Sequence, residues 1–511
     1  MEIDYPPDDL TLRARQWLAD VKYPSLGEPF DARAAAVWVD GSGGFVGLWV
    51  QGFAAGETPE ARYRAIQEEI ERRIDAIVTG GQTTPSAPAD ARRPIAGRLE
   101  LVDGGRGGLR DAHGPGLFCG CHAGDLLARF YRDRDTALRA LDAIGGAGHQ
   151  FVRTWTVLEG PWWAARTGEV HPGLPGYWTV VHEFARALVA RGLRWQVSQG
   201  DMLRYYPGQA ERKAFMRDLA QTLVEEGGAD QLVVSVDAGN EAWQNGEEYE
   251  PTPASVARFA EVLQAFLTIL PVSLSAMTSA RDEGRLDSYA AVPASSIAYH
   301  GSRFHFRLAV ERAWTAGYYD AKAWPFLLAD EPVGVNHRDG DVPGGHVSAT
   351  ERPEDWRDDE AMGVYGVALL MTRQLPTWLS SPGVISDEPF EGYSSLGLWP
   401  RWAARLPQDL QTQAWTSFHG GEWRALSPRR IFAVPDDTVR CEHAMQLETG
   451  QTVALIYADA PGRFEIPIVN GAEGVLINPE TFDETPVQLQ AGQRWPVEFR
   501  RGRVFIGRAT P

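Results

Sequence analysis

From about residue 95 to residue 410 the chain alternates short apolar runs with longer amphipathic ones. Leu117–Cys121, Gln150–Trp155, Leu193–Ser198, Leu232–Asp237, Val272–Met277, Ile297–His300, Phe326–Ala329 and Pro376–Leu379 read as strands. Most are apolar along their length, with polar groups gathered at the C-terminal end, the pattern of a parallel strand covered on both faces. Asp135–Ile144, Tyr177–Ala190, Gln209–Glu226, Ala254–Ile269 and Asp358–Gln374 carry the helical period, and several end at glycine, as at Gly145-Gly146, Gly192 and Gly227-Gly228. Strands alternating with helices argue for parallel βαβ units. Eight strands over about 290 residues fit a (β/α)8 barrel and would overfill most open sheets.

The flanks read differently. In residues 1–80, Val37–Val39 and Phe45–Val50 bracket Gly41-Ser-Gly-Gly44, a predicted hairpin. Tyr63, Ile66, Ile70, Ile74 and Ile77 then fall on one helical face, which Gly80-Gly81 ends. Such a stripe packs on its own chain or, less often, pairs with a second copy. Residues 81–94, rich in Pro, Ala and Thr, form a linker. Residues 95–410 are the barrel. In residues 411–511 the helical period fades into short strand candidates divided by turns such as Asn470-Gly471, which predicts an antiparallel β-sandwich. The fold class is therefore α/β, a (β/α)8 barrel with a C-terminal sandwich and a small α+β N-terminal module.

Chemistry in such a barrel sits at the C-terminal strand ends. The fourth strand runs Leu232-Val-Val-Ser-Val-Asp237 and leads into Ala-Gly-Asn240-Glu241; the seventh leads into Asp330-Glu331-Pro332. Two carboxylates on strands that face each other across the barrel mouth suit glycoside hydrolysis. One protonates the leaving oxygen and the other acts from the far side of the anomeric carbon. Asp387-Glu388-Pro389 repeats the second triplet, but it follows a loop and no apolar strand leads into it. Gly104-Gly-Arg-Gly-Gly108 resembles a phosphate cradle in composition only; no helix begins after it, so a hairpin turn is expected.

These motifs resemble the large clan of retaining glycoside hydrolases on (β/α)8 barrels, the cellulase-like group, over about residues 95 to 511. The resemblance implies Glu241 as acid/base beside Asn240, and Glu331 as nucleophile. It implies substrate-binding roles for Asn240, for Arg153 on the second strand, for an aromatic or histidine in Tyr299-His300 on the sixth, with His300 named for that role, and for Trp378 on the eighth. Trp155 joins them as one of several tryptophans near strand ends, with Trp162, Trp163 and Trp243, whose indole faces could stack on sugar rings. For any one tryptophan the alternative is core packing. For Arg153 it is a salt bridge inside the barrel, which is compatible with a catalytic role because a nearby guanidinium keeps a carboxylate ionised.

Composition narrows the partners. The 511 residues include 49 Lys plus Arg and 68 Asp plus Glu, a net charge of −19, which disfavours nucleic acid and anionic membranes. No run reaches the roughly 18 apolar residues that would span a bilayer. The acidic start, Met1-Glu-Ile-Asp, does not read as a signal peptide, and localisation is left open. The three cysteines make no disulfide framework. Cys119-Gly-Cys-His122 invites a metal reading, but no second ligand pair stands near it, so no cofactor or metal is expected. The expected partner is an oligo- or polysaccharide. Residues 1–80 are left as a module that could dock the barrel to a larger assembly. A non-catalytic carbohydrate-binding or structural protein on the same scaffold is the second reading, and a metal-dependent barrel hydrolase is the third.

Overall fold

The structure is a computed structural model. It describes residues 36–39, 45–49, 94–102, 108–160, 164, 168–199, 208–237, 270–276, 296–300, 310–311, 313–314, 327–330, 358–378, 394–411, 431–433, 438–441, 443–447 and 449–510. The chain divides into two compact units, Met1–Pro85 and Ser86–Pro511. In the first, β1 (Ala36–Val39) pairs antiparallel with β2 (Phe45–Trp49), the hairpin expected around the glycine turn. The expected helix over Tyr63–Ile77 and nearly all of the linker lie outside the described residues.

The second unit opens with three short strands, β3 (Glu100–Leu101), β4 (Leu109–Asp111) and β5 (Gly114–Pro115), paired antiparallel in that order. Then come the barrel strands β6 (Gly120–His122), β7 (Phe151–Trp155), β8 (Arg194–Ser198), β9 (Val233–Asp237), β10 (Val272–Ala276), β11 (Ser296–His300), β12 (Leu327–Asp330) and β13 (Leu375–Trp378). Among the described residues these eight pair in a closed ring, each parallel to both neighbours. The helices α1 (Leu126–Arg132) and α2 (Arg134–Gly146) follow β6, α3 (Tyr177–Ala190) follows β7, α4 (Gln209–Glu225) follows β8, α5 (Asp359–Met371) follows β12 and α6 (Leu398–Arg405) follows β13, while the expected helix over residues 254–269 lies outside the described residues. Val152, Trp195, Val197 and Val236 leave the ring outward and join the helices' apolar faces in one core.

Two boundaries differ from expectation by three residues. The first barrel strand starts at Gly120 instead of Leu117, because Cys119 N donates to the Gln150 side-chain oxygen at 2.9 Å and not to a strand partner. His122 is the last residue of β6. Helix α5 stops at Met371, short of Gln374. Thr372 Oγ1 bonds back to Ala368 O at 2.8 Å, and Arg373 takes a left-handed φ of 59°.

The ring's interior changes character along its axis. Near the N-terminal end Phe118, Phe151, Val234 and Leu375 pack with Ile95 and Leu109, and Arg194 ties this plug by donating to Ile95 O and Gly97 O at 2.9 and 2.8 Å. Gly120 is part of the fit, since a Cβ there would lie 2.3 Å from the Phe151 ring. Toward the C-terminal end the buried residues are polar: His122, Arg153, Gln196, Ser198, Ser235 and Asp237. A register shift between β8 and β9 lets Val234 serve the apolar plug while Ser235 still opposes Gln196.

Residues 439–509 form antiparallel strands β14 (Val439–Arg440), β15 (Ala444–Gln446), β16 (Gln451–Ala458), β17 (Gly462–Pro467), β18 (Ala472–Ile477), β19 (Glu484–Leu489), β20 (Arg494–Phe499) and β21 (Gly502–Ala509). Six make one sheet, in the order β14-β16-β21-β18-β19 with β15 on β16, and β17 pairs with β20. Ala454, Ile456 and Phe505 share a core with Ile466, Val497 and Phe499 of that pair. The opposite face of β16 and β21, with Val453, Leu455, Tyr457, Val504 and Ile506, packs into the barrel's helical core. That double burial explains why β16 reads as an unbroken apolar run rather than an alternating one. Helix α5 is buried from Glu360 to Met371, lying against these strands on one side and the barrel and α6 on the other.

Candidate active site

The last residues of the eight barrel strands are His122, Trp155, Ser198, Asp237, Ala276, His300, Asp330 and Trp378. In register, His122 lies opposite Arg153, Trp155 opposite Ser198, Ser198 opposite Asp237, and His300 opposite Asp330. Asn240 and Glu241 therefore follow the end of β9 by three and four positions, and Glu331 is the residue after β12. Those three residues lie outside the described residues, as do Trp162, Trp163, Trp243 and the Asp387-Glu388-Pro389 triplet. His300 is placed by its backbone alone.

Four buried side chains interlock just inside the mouth. Arg153 Nη1 lies 2.7 Å from His122 Nδ1. A guanidinium can only donate, so His122 presents its Nδ1 lone pair and carries its proton on Nε2. Arg153 Nη2 donates to Ser198 Oγ at 3.4 Å, and Ser198 Oγ donates to Asp237 Oδ2 at 3.1 Å. The Arg153 Nη2 to Asp237 Oδ2 separation is 3.7 Å, an ion pair without a direct hydrogen bond. All four residues are fully buried. A buried cation in such surroundings needs a buried anion, and Asp237 supplies it. The salt bridge that the sequence offered as the alternative for Arg153 is thus present.

Of the five tryptophans singled out in the sequence, the two that the structure describes are packed. Trp155 is 6% exposed and Trp378 0%, so neither opens a broad ring face to solvent. Trp155 meets the His122 ring edge-on with centroids 5.5 Å apart. Both crowd Gly124, where a Cβ would come within 2.9 Å of Trp155 and 3.0 Å of His122 Nε2.

Burial pushes the Cys119 and Cys121 thiols up, the second also through the first. His122 turns its Nδ1 to Arg153. Among the described residues no group of three or more His, Cys, Asp or Glu could hold a metal ion. No helix among them is long and apolar enough to cross a membrane.

Sequence reasoning alone passes over Ser198 and Asp237 and singles out His122 only for a metal. The signal is present, because each is a polar residue ending an otherwise buried strand, the same cue that draws attention to Glu241.

Several solved structures are similar to this chain. One described as a glycoside hydrolase superposes with a TM-score of 0.50 at 12% identity, covering 81% of this chain and 97% of its own. The fold is that of a barrel glycoside hydrolase. A glycoside hydrolase family 5 structure from Bacteroides vulgatus ATCC 8482 gives a TM-score of 0.48 at 11% identity, over 81% of this chain and 95% of its own. A GH113 beta-mannanase from Alicyclobacillus acidocaldarius gives 0.36 at 13% identity, over 57% and 96%. No family model matches the chain, and no curated protein matches it.

Proposed function

We propose that this chain hydrolyses O-glycosidic bonds in an oligo- or polysaccharide with retention of anomeric configuration. The observation that carries the reading is positional. Asn240-Glu241 come three and four positions after β9, and Glu331 comes directly after β12, strands that stand fourth and seventh in a closed ring of eight. Glu241 donates its proton to the leaving oxygen while Glu331 attacks the anomeric carbon, giving a glycosyl ester and a free alcohol. Glu241, now ionised, takes a proton from water, whose oxygen displaces Glu331. Asn240 and His300 are assigned to substrate hydroxyls, and Trp155 and Trp378 to shaping the pocket. Arg153 supplies positive potential beneath it. The C-terminal strands are read as a β-sandwich that braces the barrel.

The test uses the full chain on a panel of aryl glycosides. Glu331→Ala should abolish turnover, and azide should restore it with a glycosyl azide of inverted configuration. Glu241→Ala should keep turnover of substrates with acidic leaving groups and lose it for poor ones. Unchanged hydrolysis by Glu331→Ala, or by Glu241→Ala on substrates with poor leaving groups, ends the proposal. A chelator should leave the activity intact; its loss would favour the metal-dependent alternative.

The second reading, a carbohydrate-binding or structural protein, is favoured by the separate compact unit Met1–Pro85, which is a candidate docking module. Glycan binding without turnover across a broad panel would select it.

A further inference from the structure

We infer that the corner between β20 and β21 is an oxyanion-binding site, shaped for a carboxylate, and that Glu360 of α5 fills it as a tethered guest. The site is independent of the hydrolase reading. Strand β20 pairs with β17, whereas β21 pairs with β16 and β18, so the chain crosses from one sheet to the other at Arg500-Arg501. In a strand, successive amides point to opposite sides. At this corner the amides of Arg500, Arg501 and Gly502 converge instead. All three donate to Glu360 Oε1, at 3.1, 2.6 and 2.9 Å, and Arg503 Nη1 adds a fourth bond at 3.0 Å. Successive N–H groups aimed at one point form a concavity for anions. A carboxylate oxygen offers about two lone-pair sites. Four donors meeting on one oxygen mean that the corner fixes where the anion sits.

Charge and fit agree with this. Arg501 Nε and Arg500 Nη2 reach the carboxylate of Asp358, the cap of α5, at 3.1 and 2.8 Å, and Arg501 Nη1 donates to Asp459 O. With Arg503, three guanidinium groups stand around the corner. Gly502 lets it press on its neighbours, since a Cβ there would lie 2.7 Å from Ile456 O and 2.8 Å from Val364 Cγ2. Glu360 is buried, so its bonds form where water screens them little. The C-terminal strands own the hole, and a barrel helix supplies the anion. Together they make a latch that depends on one negative charge. What the hole recognises is the carboxylate group itself, so a free carboxylate should take the place of a truncated Glu360.

The experiment uses the full chain carrying Glu360→Ala, which removes the heavy atoms of one acetate ion. Its urea midpoint is measured in sodium acetate, in acetamide and in sodium chloride at matched concentrations, beside the parent protein. We expect the variant's midpoint to lie below the parent's and to climb with the logarithm of acetate concentration, as for a ligand bound by the folded state alone. Acetamide has acetate's shape without its charge, and chloride has the charge without the shape. Neither should shift the variant more than it shifts the parent. Adding Arg503→Met to Glu360→Ala removes one donor and should diminish the acetate shift. If Glu360→Ala does not fold in plain buffer, its refolding yield in acetate is compared with that in acetamide, and a higher yield in acetate supports the site. Equal yields, or an acetate shift no larger than that of acetamide, of chloride or of the parent, overturns it.

Discussion

Glu360 Oε1 accepts the Gly502 amide proton at 2.9 Å, joining the helix that follows the seventh barrel strand to the last strand of the chain. The same oxygen takes the backbone N–H groups of Arg500 and Arg501 at 3.1 and 2.6 Å and Arg503 Nη1 at 3.0 Å. Two residues earlier, Asp358 caps α5 and pairs with Arg501 Nε at 3.1 Å. A buried carboxylate so fully satisfied is costly to lose, because its donors stay buried. Glu360→Gln should destabilise the second unit by about 3 kcal/mol. Chemical denaturation measures it, and a midpoint equal to the parent's would show that the contact contributes nothing.

Helix α5 is also fitted by shape. A Cβ at Gly363 would stand 2.3 Å from the Pro479 carbonyl oxygen, which is backbone and cannot rotate aside. Gly363→Ala should therefore cost about 1–3 kcal/mol despite alanine's better helix propensity. Gly146, the last residue of α2, has open space where a methyl group would go and serves as the control. Gly146→Ala should be neutral or stabilise by up to about 1 kcal/mol. Equal effects on thermal midpoint would refute the packing argument.

His149 sets a pH dependence. Burial holds its pKa down to about 4 from an ordinary 6.5, while Nε2 donates to Leu396 O at 2.7 Å. The unfolded chain binds a proton below about pH 6.5 that the folded chain refuses until about pH 4. The stabilisation is thus complete above 6.5, declines as pH falls from 6.5 to 4, and levels off below. The full loss is up to roughly 3 kcal/mol. Urea denaturation across that window should show a shallower slope for His149→Gln, whose amide can still donate to Leu396. An identical slope would assign the dependence to other groups.

The barrel was legible because its strands and helices obey separate periods and every neighbour is parallel. The C-terminal strands were legible where they are apolar. Strand β20, Arg494–Phe499, was not, since Pro496 and the charged Arg494 and Glu498 argue against a strand. It is tolerated because, among the described residues, β20 pairs with β17 alone, and Pro496 lies opposite Glu465 there. Within the site, Arg153 was marked by its position, but its partners were not. Ser198 and Asp237 sit 45 and 84 positions further along the chain, and only the strand register shows that they meet. The tryptophans misled most, because a ring near a strand end looks alike in sequence whether it lines a groove or, like Trp378, is fully enclosed.

Helix α5 carries apolar side chains all round, and its two sides are claimed by different parts of the chain. An engineer who trimmed the polypeptide after α6 would leave Val364 without Gly502 against it and Glu360 without its amides. The C-terminal strands are therefore no interchangeable appendage, and recombination with a related barrel would succeed only if the crossover were made upstream of Asp358.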